Sequence, residues 1–374
     1  KINALLGTEI PEADMIEYLR REEVPVADGQ IQVPSWRPDL RCMADIAEEV
    51  ARYYGYNNIE TTLMRGTTTR GGYSETAMLE NQAGAAARSL GYSEIITYSF
   101  VSPASFDAVR IPKDSPLRKT LKLVNPLGED TSIMRTIILP SMLDILSRNY
   151  AMKNKGVKLY ELGRVYLPVD GQDLPEEPRH LVLGTYGEHE TFFTMKGEID
   201  ALLQLLNVKP AEYVANRENP SYHPGRCADI LIDGKLAGTI GQIHPLVAEA
   251  YGIGGEVYVA DLDFTTIEAS LAEERVFHSL PRFPAVTRDL ALVCDESLTV
   301  GELERCISAT AGKLLRKINL FDIYRGPGVA AGKKSVAFSL ELRADDRTLT
   351  DEDSNGVVDR VLKALKEEKD VTLR

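Results

Sequence analysis

The run V-P-S-W-R-P-D-L-R-C-M-A-D-I-A-E-E-V-A-R-Y-Y-G-Y, residues 33–56, is where the chain first declares its architecture. From Met43 to Tyr54 the apolar positions Ile46, Val50, Tyr53 and Tyr54 fall at i, i+4, i+7 and i+8, which is one face of a helix, and Gly55 stops it. The same helix carries Asp45, Glu48 and Glu49 at i, i+3 and i+4, so three carboxylates share a side, and Asp39 lies just ahead of it. Like charges at that spacing cost a few tenths of a kcal/mol each unless something neutralises them. Four hard oxygen donors in one place suit Mg²⁺, which takes a few carboxylates and keeps its remaining waters. Spacing alone also fits a plainer arrangement: a solvated acidic face near a helix N-terminus, paired through Arg52 to Glu48 and Glu49.

Upstream, Glu12 to Arg21 reads as a helix with Ile16 and Leu19 inward and Pro11 at its start. A hairpin follows, Val24 and Val26 before the Asp28-Gly29 turn and Ile31 and Val33 after it. Residues 1–66 thus form a small helix-hairpin-helix module of α+β type. The polar, Gly-rich run T-T-T-R-G-G-Y (67–73) reads as a linker. From 73 to 270 strands outnumber helices, with extended runs at Glu94–Phe100, Lys119–Val124, Lys158–Leu167, His180–Tyr186, Ala228–Ile232 and Glu256–Phe264, as in an antiparallel sheet with flanking helices. Residues 281–374 read strand, helix, strand, strand, helix, strand, the ferredoxin-like βαββαβ order, with capping-box patterns at Thr299/Glu302 and Thr350/Asp353.

Composition narrows the function. The 374 residues carry 43 Lys plus Arg against 56 Asp plus Glu, a net −13. An acidic chain is a poor nucleic-acid binder on average, yet residues 281–374 hold 16 basic and 16 acidic side chains, so the whole excess lies upstream. Only this C-terminal segment can readily present a basic face. No apolar run approaches the roughly 18–20 residues needed to cross a bilayer. Cys42, Cys227, Cys294 and Cys306 lie far apart with no C-x-x-C pair, which speaks for buried thiols in a reducing cytoplasm rather than a zinc or disulfide framework. His223 and His244 each precede proline and suit turns better than metal ligation, Arg135 and Arg164 read as framework arginines, and Trp36 reads as packing. No Ser/His/Asp nucleophile motif is present.

The stretch from Val33 to Ile59 resembles the signature of the bacterial phenylalanyl-tRNA synthetase beta subunit family. The likeness continues through G-Y-S-E-I-I-T-Y-S-F (91–100), N-P-L (125–127), M-R-T (134–136), L-P-S-M-L (139–143), Y-E-L-G-R-V-Y (160–166), H-P-G-R (223–226), G-Q-I-H-P (241–245) and F-P-A-V-T-R-D-L-A-L (283–292). It spans essentially the whole chain. What the resemblance implies is an α+β multidomain protein: the small module (1–66) bearing a magnesium ion on Asp39, Asp45, Glu48 and Glu49, shared with the catalytic alpha subunit; a class II synthetase-like antiparallel sheet domain (73–270) without catalytic residues; and a ferredoxin-fold anticodon-binding domain (281–374). It implies an α₂β₂ tetramer that uses ATP to charge tRNA(Phe), with this chain corresponding to the C-terminal half of a beta subunit, lacking the oligonucleotide-fold and editing domains and therefore proofreading.

The residues agree with a non-catalytic central domain. The strand at 161–166 runs into Leu167, Pro168 and Val169, and Gly252-Ile253-Gly254-Gly255 leads to Glu256; neither place offers the arginine that clamps ATP phosphates in class II sites. ATP is thus expected at the partner and not on this chain. For RNA, Arg288, Lys313, Arg316, Lys317, Arg325, Lys333 and Lys334 are expected to form a cationic face, with Phe321 and Tyr324 available for stacking. Two other functions are consistent with parts of the chain: an autonomous ATP-binding enzyme, opposed by the missing arginines, and a DNA-binding module built on the first domain, opposed by its acidic second helix.

Overall fold

In the computed structural model, which describes residues 1–277 and 279–374, the chain forms two units, Lys1–Gln82 and Ala83–Arg374. The first comprises α1 (Ile2–Leu6), α2 (Glu12–Arg21), β1 (Val26–Ala27), β2 (Gln30–Ile31) and α3 (Met43–Tyr54). Asp28 and Gly29, at φ 52° and 72°, make the two-residue turn that joins β1 to β2. Ile10, Leu19, Val24, Leu40, Ile46 and Val50 close its core. Three expectations fail here. Ile16 is 39% exposed because the buried stripe of α2 runs through Met15, Tyr18 and Leu19. Trp36 is 64% exposed rather than packed, and Cys42, at the N-cap of α3, is the exposed one of the four thiols. Residues 60–74, including the expected linker, have no regular structure.

Helix α4 (Glu75–Ser89) leads into β3 (Ser93–Glu94), β4 (Phe100–Val101), α5 (Ser105–Ala108), β5 (Ile133–Met134) and α6 (Leu139–Ala151). Then come β6 (Val157–Arg164), β7 (Arg179–Tyr186), α7 (Phe192–Leu205), β8 (Ala211–Ala215), β9 (Tyr222–Ile232), β10 (Lys235–Ile243), α8 (Pro245–Ala250), β11 (Tyr258–Asp263) and α9 (Phe264–Glu268). Seven strands form one sheet in the order β3-β6-β7-β11-β10-β9-β8, antiparallel except for the β3–β6 pair. The run expected to be one strand from Glu94 to Phe100 is broken into β3 and β4, which join different sheets, and Lys119–Val124 contributes a single bridge at Lys122. Helix α6 lies against the sheet, and Gly184 of β7 is what lets it approach: a Cβ there would stand 2.7 Å from Met142 Sδ.

The last part is β12 (Val286–Asp295), α10 (Val300–Ala311), β13 (Leu315–Tyr324), β14 (Lys333–Leu342), α11 (Asp351–Lys369) and β15 (Thr372–Leu373). Its four strands lie in the order β13-β14-β12-β15, all antiparallel, which is the ferredoxin-like arrangement. Both expected capping boxes form: Thr299 with Glu302 and Thr350 with Asp353 exchange hydrogen bonds at the starts of α10 and α11. Leu290, Leu292, Val336, Phe338 and Leu340 face the two helices. The segment after α9 stays attached to the sheet domain, since Asn207 Nδ2 donates to the Ala272 and Glu273 carbonyls and Arg275 Nε donates to Asn207 Oδ1.

Candidate functional site

The acidic face of α3 is organised by two arginines. Arg37, from the W-R-P-D run, extends Nη2 to Asp39 Oδ2 (2.7 Å) and Glu49 Oε1 (2.5 Å) and Nη1 to Glu22 Oε2 (3.1 Å). Arg52 holds Glu49 Oε2 at 2.6 Å and also pairs with Glu22, brought in from the end of α2. Arg37 holds the Asp39 carboxyl below the usual carboxylate range; Tyr53, Arg52 and Arg37 do the same for Glu22. Asp45 is used differently: its Oδ2 accepts the backbone N–H groups of Arg41 (2.6 Å) and Cys42 (2.7 Å), which lowers its pKa and starts α3. Glu48 is exposed.

Three of the four expected metal ligands are therefore engaged elsewhere, Asp39 and Glu49 by Arg37 and Asp45 by the start of α3, and the four are not gathered. Among the described residues no group of three His, Cys, Asp or Glu side chains is arranged to hold an ion. The donor chemistry suits a hard cation, but Asp39 and Glu49 are turned toward Arg37, leaving Asp45 Oδ1 and Glu48 as the open oxygens. The pairing expected between Arg52 and Glu48 is replaced by one with Glu22. Arg37 and Glu22 are the residues that spacing along α3 could not reveal; an arginine two places before Asp39 was the available signal.

On the central domain, Arg135 is nearly inaccessible, its side chain 2% exposed and that of Glu161 4%. Arg135 Nη2 donates to Glu161 Oε1 (2.9 Å), Nη1 to Thr97 Oγ1 (2.7 Å) and Nε to the Arg164 carbonyl (2.9 Å), while Thr97 Oγ1 donates to Glu161 Oε2 (2.7 Å). The arginines standing on the seven-stranded sheet are each engaged: Arg164 with the Glu177 carbonyl, Arg179 with Glu268, Arg226 with Glu256. His223 and His244 serve turns, as their prolines indicated, each accepting a backbone N–H two residues on. Thr97 belongs to a run whose neighbours Ile96 and Tyr98 are 91% and 82% exposed, and these line a cavity of about 820 Å³ with Phe100, Asp144 and Arg148.

In the ferredoxin-like domain the seven cations expected to share a face do not. Strand alternation separates them. Arg288 lies in phase with buried Leu290 and Leu292, and reaches Asp351 at 2.6 Å and Ser354 at 2.8 Å on α11. Lys334 is 7% exposed and donates to the Glu296 carbonyl, and Arg325 is bound by the Glu296 carboxylate at 2.7 Å. Lys333 pairs in register with Asp295 at that same end of the sheet. Lys317, opposite Glu341, stands at the far end on the face away from the helices, with Lys313 just before β13. Of the two aromatics, Phe321 is 55% exposed at a bulge, and the Tyr324 ring carries the Arg374 guanidinium at 4.8 Å.

Comparison with known proteins covers the chain almost end to end. Residues 59–264 match the phenylalanyl tRNA synthetase beta chain CLM domain. The chain belongs to the phenylalanyl-tRNA synthetase beta chain family. In the same family pattern, residues 1–56 match the tRNA synthetase B5 domain and residues 281–374 the ferredoxin-fold anticodon binding domain. The beta subunit of phenylalanine–tRNA ligase from Clostridium tetani is 41% identical over 378 residues, covering 100% of this chain and 48% of that protein. The corresponding subunit of Clostridium acetobutylicum is 39% identical, over 97% of this chain and 46% of its own length, and that of Bacillus subtilis is 36% identical, over 100% and 48%. The chain spans about half the length of these beta chain relatives. Among the described residues no helix is long and apolar enough to cross a membrane.

Proposed function

We propose that this chain serves as the beta-subunit part of a phenylalanine–tRNA ligase, binding the catalytic alpha subunit and tRNA(Phe) while alpha carries out the ATP-dependent chemistry in an α₂β₂ assembly. The observation that carries the non-catalytic part is the engagement of every arginine on the seven-stranded sheet by a partner of its own. With Arg179 and Arg226 paired to carboxylates, Arg164 is, among the described residues, the one sheet arginine whose charge meets only a neutral carbonyl, and a single guanidinium is a weak stabiliser for adenylate transfer from a triphosphate. A scaffolding role is supported instead by the exposed apolar row Ile96, Tyr98 and Phe100. The Arg135–Glu161–Thr97 network stiffens that row from beneath.

Magnesium belongs to this reading as an ion shared with alpha on Asp39, Asp45, Glu48 and Glu49. Bound there it would cross-link two chains through carboxylate oxygens and has no part in bond-making. Asp45 Oδ1 and Glu48 are open donors in this chain; Asp39 and Glu49 join them once Arg37 is drawn off, and the partner supplies the rest. Binding of tRNA falls to the domain from 281 to 374, whose match to an anticodon-binding domain and neutral charge balance support it.

The test is gel filtration of this chain with the phenylalanyl alpha subunit, with and without magnesium. A co-eluting complex that is lost on replacing Ile96 and Tyr98 by aspartate supports the scaffold. Failure to associate at micromolar concentrations, or ATP binding by the lone chain, sinks it.

A further inference from the structure

Where β13 and β14 meet the segment that enters the ferredoxin-like domain, three arginines surround a cavity of about 450 Å³: Arg282, Arg316 and Arg343. Arg316 is the extra residue of a bulge between Leu315 and Lys317, and a bulge re-aims a side chain that regular alternation would send elsewhere. Its Nη2 meets Asp345 Oδ1 at 2.7 Å and its Nε donates to the Arg343 carbonyl at 3.1 Å. Arg343 comes no nearer to a carboxylate than 3.8 Å, from Nη1 to Glu341 Oε1. Arg282 is exposed. Three guanidiniums thus face one carboxylate on the cavity wall, a net positive site. Arg343 Nε is moreover a buried donor with no acceptor, the sole such side-chain atom found among the described residues. Buried N–H groups are almost always paired, and one that is not points to a missing acceptor.

We propose that this cavity is a phosphate subsite, in which Arg282, Arg316 and Arg343 take a backbone phosphodiester of bound RNA; the assignment rests on the RNA-binding role given above to this domain. Guanidinium groups present planar forks of donors that match phosphate oxygens, and the part-exposed Arg343 side chain lines the cavity beside Arg282 and Arg316. Lys313 and Lys317, at the same end of β13, extend the positive surface along which a strand's neighbouring phosphates run. A backbone contact of this kind positions RNA and reads no bases.

The test uses the full chain and its Arg282→Gln and Arg343→Gln variants, with tRNA(Phe) and an unrelated tRNA, in filter binding from 50 to 300 mM KCl. Thermal unfolding of each variant confirms folding, and Arg282, lying outside the β-sheet, serves where Arg343→Gln proves unstable. The expected result is about tenfold weaker binding for each variant, equal for both RNAs, with a log–log salt slope shallower by about 0.7–0.9. Variants that bind as tightly as the unaltered chain, with the same slope, overturn the subsite while leaving the RNA-binding role standing. If the unaltered chain binds neither RNA at 50 mM KCl, both readings fall. Inorganic phosphate is the second probe: stabilisation of the unaltered chain but not of Arg343→Gln, with RNA affinity unchanged, assigns the cavity to a free phosphate and overturns the RNA assignment.

Discussion

Replacing Glu161 by alanine tests whether the buried ion pair of the central domain is a source of stability or only of order. With the side chains of Arg135 and Glu161 at 2% and 4% exposure, the substitution leaves a guanidinium charge out of water with only the neutral Thr97 Oγ1 and the Arg164 carbonyl for company. Removing one partner of such a pair costs about 3–5 kcal/mol, because the remaining charge stays desolvated. For a unit of this size, about 2 °C is lost per kcal/mol, so the thermal transition is expected to fall by roughly 8 °C. The double variant Arg135→Met with Glu161→Met removes both charges and keeps most of the volume; it is expected to unfold several degrees above Glu161→Ala, since a matched apolar replacement of a buried pair is often near neutral. Scanning calorimetry of the single and double variants measures the difference. If the double variant is no more stable than Glu161→Ala, the uncompensated charge is not what costs the energy, and the reasoning fails. Glycine 163 adds a built-in control: a Cβ there would stand 2.4 Å from Arg135 Nη2, so Gly163→Ala should disturb the same network.

Further predictions follow from single contacts. His180 is pulled down by burial, but Asp261, at 2.6 Å, and Asp263 outweigh this and raise its pKa above the usual value. A raised folded pKa stabilises fully below about pH 6.5 and the gain fades as pH rises through the folded value; the stability gap between the native chain and His180→Asn should therefore shrink between pH 6 and pH 9 in denaturant titrations, and a gap that widens contradicts the sign. Gly184→Ala puts a Cβ 2.7 Å from Met142 Sδ and should cost about 1–3 kcal/mol, with partial recovery on adding Met142→Ala; no recovery would show the clash lies elsewhere. Arg37→Gln leaves Glu22, Asp39 and Glu49 without their shared cation, so millimolar MgCl₂ should raise the melting temperature of this variant more than that of the native chain; equal shifts would show that the carboxylates do not converge once Arg37 is gone.

The sequence by itself determined whatever rests on near neighbours. Helices α2 and α10 begin where Pro11 and the Thr299/Glu302 box place them, α3 ends at Gly55, and the succession of strands and helices in the last domain follows from apolar periodicity, because capping and amphipathic spacing act over a few residues. The family resemblance rests on the same local motifs. Only the tertiary structure decided the sites. Glu22 and Glu49 come together on Arg37 from separate elements, and Arg135 finds Glu161 and Thr97 across 26 and 38 residues of sequence. Counting lysines and arginines from Arg288 to Lys334 suggested one basic face, but a period of two along each strand sends Arg288 and Lys334 inward. A one-residue bulge, invisible in the composition, turns Arg316 toward Arg343. Charge is a property of the residue; which other charge it meets depends on strand phase, register and the return of distant segments, and those are set by packing the core.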